Sequence, residues 1–237
     1  MKIKNKIRIL LLKILGSENV DTLRYIKFKY KFGKFSRYKD KNSFIKAFSR
    51  FYEPEMALIP KILNNPEVII DIGANYGTYS FYFSKLYPNS KIFAFEPSTR
   101  TFNIFGKIIK KFNLKNVIPL KKGLGSKEEK KKIVMPAHYT ILAYDFIKCD
   151  VEGFEFEVFK GAKNTLKNLK PIVFVEVEER HTRKYGTNSD EVLNFFKKLN
   201  YLCYSIRGDT LTRTDLTQAS NPLYLFVHKS TKLPFHS

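Results

Sequence analysis

The chain encodes an α/β domain built on a doubly wound, mostly parallel sheet with an antiparallel closing edge. From residue 67 onward, short β-branched apolar runs alternate with stretches of helical spacing. A glycine-bearing turn, Asp71-Ile-Gly-Ala-Asn-Tyr-Gly77, follows the first of these runs, and the last two runs have no helix between them. Alternating strands and helices imply parallel pairing with right-handed crossovers. Two consecutive closing strands imply an antiparallel edge.

The elements follow in order. Val68-Ile-Ile-Asp71 is a short apolar run suited to a strand buried on both faces. Tyr79 to Leu86 suits a helix, with Tyr79, Phe81 and Phe83 read as core, and Lys91-Ile-Phe-Ala-Phe-Glu96 is a second strand. Thr99 to Phe112 has Phe102, Phe105, Ile108, Ile109 and Phe112 on one side of a helix. Asn116-Val-Ile-Pro-Leu120 is a third strand, with Pro119 better suited to its end than its middle. Asp145 to Cys149 reads as a strand, Phe154 to Leu169 as one helix, Pro171 to Val177 as a strand and Glu191 to Leu199 as a helix. Tyr201 to Ile206 and Leu223 to His228 are closing strands around a polar loop. Residues 1–65 form a helical N-terminal extension, and residues 66–237 form the α/β domain.

Composition narrows the class. The 237 residues suffice for one domain, and 43% hydrophobic content, much of it Phe and Tyr, supplies a core. Two cysteines, Cys149 and Cys203, are too few for a disulfide framework and lack metal-ligand spacing, which points to a reducing, cytoplasmic setting. His138, His228 and His236 show no ligand spacing either, so no metal is assigned. No run approaches the ~20 apolar residues of a membrane span. The start, Met1 to Leu15, reads as a basic amphipathic helix that packs on the domain or lies at the inner face of an anionic membrane. A formal charge of +21 fits lysines on solvated faces, an anionic surface or substrate, or nucleic acid. No RNA- or DNA-reading motif accompanies it.

In an open parallel sheet, ligands bind beyond the carboxyl ends of the strands. The turn after the first strand lies there, with Gly73, Ala74, Asn75 and Gly77 as candidate cofactor contacts. Gly73 permits a tight turn with a ligand close to the backbone, and Gly77 lets the next helix start against the strand. The spacing G-x-x-x-G lacks the full pyrophosphate form G-x-G-x-x-G, so it suits an amino-acid or uncharged moiety better than a diphosphate. Glu96, at the end of the second strand, has the place of an acidic residue that holds ribose hydroxyls. Together these features point to a nucleoside-containing ligand.

These residues, with Phe95-Glu-Pro97, Asp145-Phe-Ile-Lys-Cys-Asp-Val-Glu-Gly-Phe-Glu155 and Val158-Phe-Lys-Gly-Ala162, resemble the FkbM-type methyltransferases over roughly residues 66–228. The Asp-Val-Glu-Gly element is the specific part, since the glycine turn is common to class I methyltransferases. The resemblance implies S-adenosylmethionine as cofactor and O-methylation of a glycan, sugar intermediate or secondary metabolite. By the same resemblance Gly73 and Gly77 surround the methionine part, Glu96 holds the ribose, and Asp71 orients the loop or meets the amino group.

Asp150 and Glu152 follow the fourth strand on the ligand-binding edge, where carboxylates orient an acceptor hydroxyl or take its proton. The alternative for both is capping of the next helix. Glu176 and Glu178 extend an acidic rim, and His181 is a further candidate base. Relative to the family pattern the chain is shortened between about residues 121 and 145, where the adenine pocket is normally completed. Gly125 and Ser126 remain as adenine-side contacts. Two other readings stay open: a non-catalytic, nucleoside-binding relative, suggested by that shortening, and an RNA methyltransferase, suggested by charge alone.

Overall fold

The structure is a computed structural model, and it describes residues 20–126, 145–215 and 222–233. A helix over residues 20–35 (α1) precedes α2 (Lys41–Phe51), a single 3-10 turn at Pro54–Ala57, and α3 (Ile59–Ile62). The sheet region then runs β1 (Val68–Ile72), α4 (Thr78–Leu86), β2 (Lys91–Phe95), α5 (Thr99–Phe112) and β3 (Val117–Leu120). It continues with β4 (Phe146–Cys149), α6 (Glu155–Gly161), α7 (Lys163–Leu169), β5 (Ile172–Glu176), α8 (Glu179–Thr182) and α9 (Ser189–Lys198). It closes with β6 (Tyr201–Arg207), β7 (Thr210–Arg213) and β8 (Leu223–His228).

The eight strands form one sheet in the order β3-β2-β1-β4-β5-β8-β6-β7. Strands β1 to β5 are parallel, and β8, β6 and β7 add antiparallel pairs. The chain reverses direction across the sheet between β1 and β4, the place where ligands bind in doubly wound sheets. Register at the head of this pair is pinned by Asp145, whose carboxylate accepts the N–H groups of Glu67 (2.6 Å) and Val68 (2.9 Å).

Side chains alternate along each strand between two apolar layers. Ile69, Ile92, Ala94, Phe146 and Phe174 face α1, α2, α4 and α5, where Phe32, Phe48, Phe81 and Phe105 are fully buried. Ile70, Ile72, Phe93, Ile147 and Val173 face α6, α7 and α9 through Phe159, Leu166 and Phe196. Phe32 stacks on Phe81 at 4.6 Å, so the described part of the N-terminal segment contributes to the same core as the sheet.

Several elements differ from the sequence reading. The helix expected over 154–169 is two helices, broken at Ala162 (φ −89°, ψ 7°), just after Gly161 passes close to the Gly125 backbone. The polar loop after β6 contains a strand, β7, joined to β6 by a tight turn at Gly208 (φ 59°). Helix α9 starts earlier, at Ser189, under a capping box in which Asn188 and Glu191 exchange hydrogen bonds. Pro119 lies within β3, not at its end, and β3 is an edge strand among the described residues. Asn116 and Leu120 direct their carbonyls at β2, so Pro119 has its missing donor on the outer side. The shortened stretch falls largely on residues 127–144, outside the described residues.

Candidate functional site

The turn after β1 is tied down by backbone. The N–H groups of Gly73 and Ala74 both donate to the Phe95 carbonyl, at 3.0 and 2.9 Å, and Ala74 is buried. Gly73 has φ 76°, and a Cβ there would stand 1.8 Å from the Asp150 carbonyl oxygen. No side chain fits, so glycine is what lets the β1 and β4 turns touch. Gly77 (φ 85°) starts α4, and a Cβ there would meet the Phe105 ring at 2.2 Å. Asn75 is also left-handed (φ 52°), and its N–H donates to the Glu96 carboxylate at 3.0 Å. The Ser98 N–H donates to the other oxygen of Glu96 at 2.9 Å. Glu96 is therefore fixed in place by two loops, and each oxygen keeps acceptor capacity for a hydroxyl. Burial raises its pKa, opposed by these two hydrogen bonds.

A cavity of about 510 Å³ lies over this end of the sheet, lined by Gly73, Phe95, Pro97, Leu124, Val151 and Phe154 among others. Tyr185 closes one side, its ring 5.2 Å from that of Phe154. Mostly apolar walls, with Lys121 and Lys122 beside them, suit a flat base; Glu96 itself lies outside this lining, between its lining neighbours Phe95 and Pro97. The volume lies within the roughly 300–1,000 Å³ of small-molecule sites. The residues present thus fit the adenosyl part of S-adenosylmethionine. Ser126 is exposed and donates to the Glu157 carboxylate, beside the passage of Gly161 under Gly125.

Across the Gly73–Asp150 contact lies a second cavity, of about 250 Å³, lined by Glu53, Glu55, Tyr79, Lys148, Asp150 and Glu176 with Cys149, Phe174 and Leu223. Its organising group is Lys148, buried in β4 beside Asp71 of β1 in the sheet register. The Lys148 Nζ stands 3.7 Å from Asp71 Oδ1, 3.6 Å from Asp150 Oδ2 and 3.4 Å from the Gly73 carbonyl oxygen. It also sits over the Tyr79 ring at 4.8 Å. Burial penalises its charge, but Asp71 and Asp150 outweigh the penalty and hold its pKa above the usual lysine range. Asp71 is fully buried and also accepts the Ser80 hydroxyl at 2.6 Å, so it anchors the turn from beneath. Glu176 is pushed up to about 7, by burial first and then by Asp150, Glu178 and Glu53.

The Asp150–Gly153 turn separates its two acidic residues. Asp150 faces the small cavity, whereas Glu152 (φ 53°) is exposed and outside its lining. Neither caps α6. Helix α6 has no side-chain cap; Glu155 instead ties the turn before it, its Oε1 accepting the N–H groups of Val151 (3.0 Å) and Gly153 (3.1 Å). Gly153 (φ 108°) packs under the backbone of His181, where a Cβ would stand 2.3 Å from the carbonyl oxygen. The His181 ring meets Glu178 at 3.3 Å, outside the lining of either cavity. Sequence reasoning passed over Lys148, Glu53 and Glu55. A lysine inside an otherwise buried strand, one residue before its end, was a usable signal for the first. Glu53 and Glu55 arrive from a distant segment and left none.

Residues 132–203 match the family model described as the Methyltransferase FkbM domain. "Methyltransferase 1" of Beauveria bassiana (strain ARSEF 2860) is 33% identical over 81 residues, a match taking in 32% of this chain and 32% of that one. The chain thus spans about a third of the length of that curated relative. Among solved structures, methyltransferase FkbM from Methylobacillus flagellatus KT aligns with a TM-score of 0.48 and 15% identity, covering 88% of this chain and 60% of that one. A SAM-dependent methyltransferase from Aquifex aeolicus aligns with a TM-score of 0.49 and 22% identity, covering 80% and 100%. The Asp-Val-Glu-Gly turn lies inside the matched stretch and the glycine turn packs directly against it, so over residues 132–203 this chain is similar to the Methyltransferase FkbM domain.

Proposed function

We propose that this chain is an S-adenosylmethionine-dependent O-methyltransferase acting on a hydroxyl of a glycan, sugar intermediate or secondary metabolite. The observation that carries the reading is the pair of cavities back to back at the strand ends. Val151 lines the larger, apolar-walled one, and Asp150, its chain neighbour, lines the smaller, carboxylate-rich one. Gly73 and Glu96 serve the cofactor side, and Asp150, Glu176 and Glu53 serve the acceptor side.

When bound, S-adenosylmethionine supplies an electrophilic methyl group that an acceptor oxygen takes by in-line displacement. Most of the acceleration comes from holding that oxygen in line. Several carboxylates around a small cavity orient a polyhydroxyl group by accepting its hydrogen bonds. One of them must also take the hydroxyl proton. Glu176, with a pKa near neutrality, is matched to that task, and Asp150, held against Lys148, is suited to orienting the acceptor.

Calorimetric titration with S-adenosylmethionine and S-adenosylhomocysteine tests the reading. Wild-type protein should bind both, and Glu96→Ala should bind ~10–100-fold more weakly, since a hydrogen bond to a charged group is worth ~1.5–3 kcal/mol. A Gly73 substitution is no substitute control, because any Cβ there collides with the Asp150 carbonyl and perturbs the fold itself. Failure of folded wild-type protein to bind either compound would overturn the enzyme reading in favour of a non-catalytic relative.

A further inference from the structure

The outward face of α1 is not accounted for by the site. Val20, Phe32 and Phe35 are buried on its inner side, and Phe28 stacks on Tyr76 of the glycine turn at 4.5 Å. Arg100 of α5 pairs with Asp21, so the helix is held at both its apolar and its polar contacts. Yet Leu23, Ile26 and Tyr30 are 49%, 51% and 67% exposed. Their spacing of three and four residues puts them on one side of the helix. Exposed Lys27 and Lys34 lie on that same side, and exposed Lys29 flanks it. The Lys34 Nζ rests over the Tyr30 ring at 4.8 Å. Residues 20–52 carry ten Lys or Arg against two Asp and no Glu.

An apolar stripe with an aromatic residue, bordered by lysines, is the chemistry of a helix lying in a headgroup layer. The apolar side chains enter the acyl boundary while lysine stems snorkel to the phosphates. We infer that the outer face of α1 docks on an anionic lipid bilayer through Leu23, Ile26 and Tyr30, with Lys27, Lys29 and Lys34 meeting the headgroups. Charge complementarity selects this occupant, since a surface of this sign repels a second copy of the same face. Among the described residues no helix is long and apolar enough to cross a membrane, so the contact is peripheral. The inner side of the same helix touches the glycine turn through Phe28 and Tyr76.

Vesicle co-sedimentation of the full chain tests this, with phosphatidylserine–phosphatidylcholine vesicles against pure phosphatidylcholine and a single-stranded RNA as rival ligand. The wild type should pellet with the anionic vesicles only. Leu23→Ser/Ile26→Ser/Tyr30→Ser should reduce that partition by about tenfold or more while the thermal melt is unchanged. Lys27→Glu/Lys34→Glu should lose it similarly. Partition untouched by both variants would overturn the proposal and assign binding to other basic residues. Retention of RNA with no partition onto vesicles would overturn it in favour of nucleic acid. S-adenosylmethionine affinity, measured on the same variants, should stay at the wild-type value, which separates this test from that of the methyltransferase reading.

Discussion

At the scale of single residues, the fixed point of the site is a lysine in the middle of a sheet. Lys148 is 3% exposed, within 4 Å of two carboxylates and close to the Gly73 carbonyl of the glycine turn. Removing one member of a buried ion pair leaves an uncompensated charge, a loss of ~3–5 kcal/mol. Lys148→Met should therefore destabilise the protein by about that much in denaturant melts, and adding Asp71→Asn should restore part of it. A stronger recovery from Asp150→Asn would mean that Asp150, not Asp71, is the dominant partner. Glu176 gives the second prediction. Its folded pKa, about 7, is raised from the ordinary 4.5, so the folded state favours the protonated form. That contribution to stability is complete below pH 4.5 and is lost as pH rises through about 7. Wild-type melting temperature should fall over this window relative to Glu176→Gln, and methyl transfer should rise over it only in the wild type. Among these residues the sequence identified Asp71, Glu96 and Asp150 because each ends or follows a strand. Lys148 escaped because its meaning depends on register: it becomes a charge partner only when β4 lies beside β1 with Lys148 opposite Asp71.

At the scale of elements, legibility followed periodicity. Strands β1, β2 and β5 and helix α5 stood out because their apolar patterns are long relative to their ends. Strand β7 did not, because Thr210-Leu-Thr-Arg213 is a short, largely exposed edge strand whose pairing comes from its hairpin partner. The break between α6 and α7 was invisible for a related reason. The helical pattern runs through it, and the break coincides with a close approach of Gly161 to Gly125, a residue far away in sequence. Helix α9 has a start written locally in its capping box, which the sequence reading nevertheless placed two residues late, at Glu191. Its N-cap, Asn188, accepts the Glu191 N–H at 2.9 Å through its side chain, while its own N–H donates to the Glu191 carboxylate at 3.0 Å. Asn188→Ala should cost ~1 kcal/mol and lower the melting temperature by ~2–4 °C, with Asn188→Ser near wild type. Equal losses for both variants would indicate that Asn188 acts through something other than its cap.

At the scale of the whole molecule, the sequence separates residues 1–65 from residues 66–237, while several aromatic residues of the first segment pack into the second. Phe32, Phe44 and Phe48 are buried in the core that the sheet presents to α4 and α5. Phe48→Ala should cost ~3–5 kcal/mol, as a large-to-small change in a single core does. Removal of residues 1–52 should leave a protein without a cooperative thermal transition. A truncated protein that melts cooperatively would establish the remainder as a self-standing unit. The helical content of that segment was readable from its pattern, but its destination was not, because packing on a distant sheet leaves no local mark. The two rims of the sheet are a last global feature. Among the described residues, the largely exposed strand β7 ends one rim, and Pro119 occupies the other with its imide nitrogen turned outward. An incoming strand of another chain would find no hydrogen to accept at that rung and a ring in its path. At cellular concentrations the first stage of fibre growth, one copy templating the next rim to rim, is thereby obstructed on that side by a single residue.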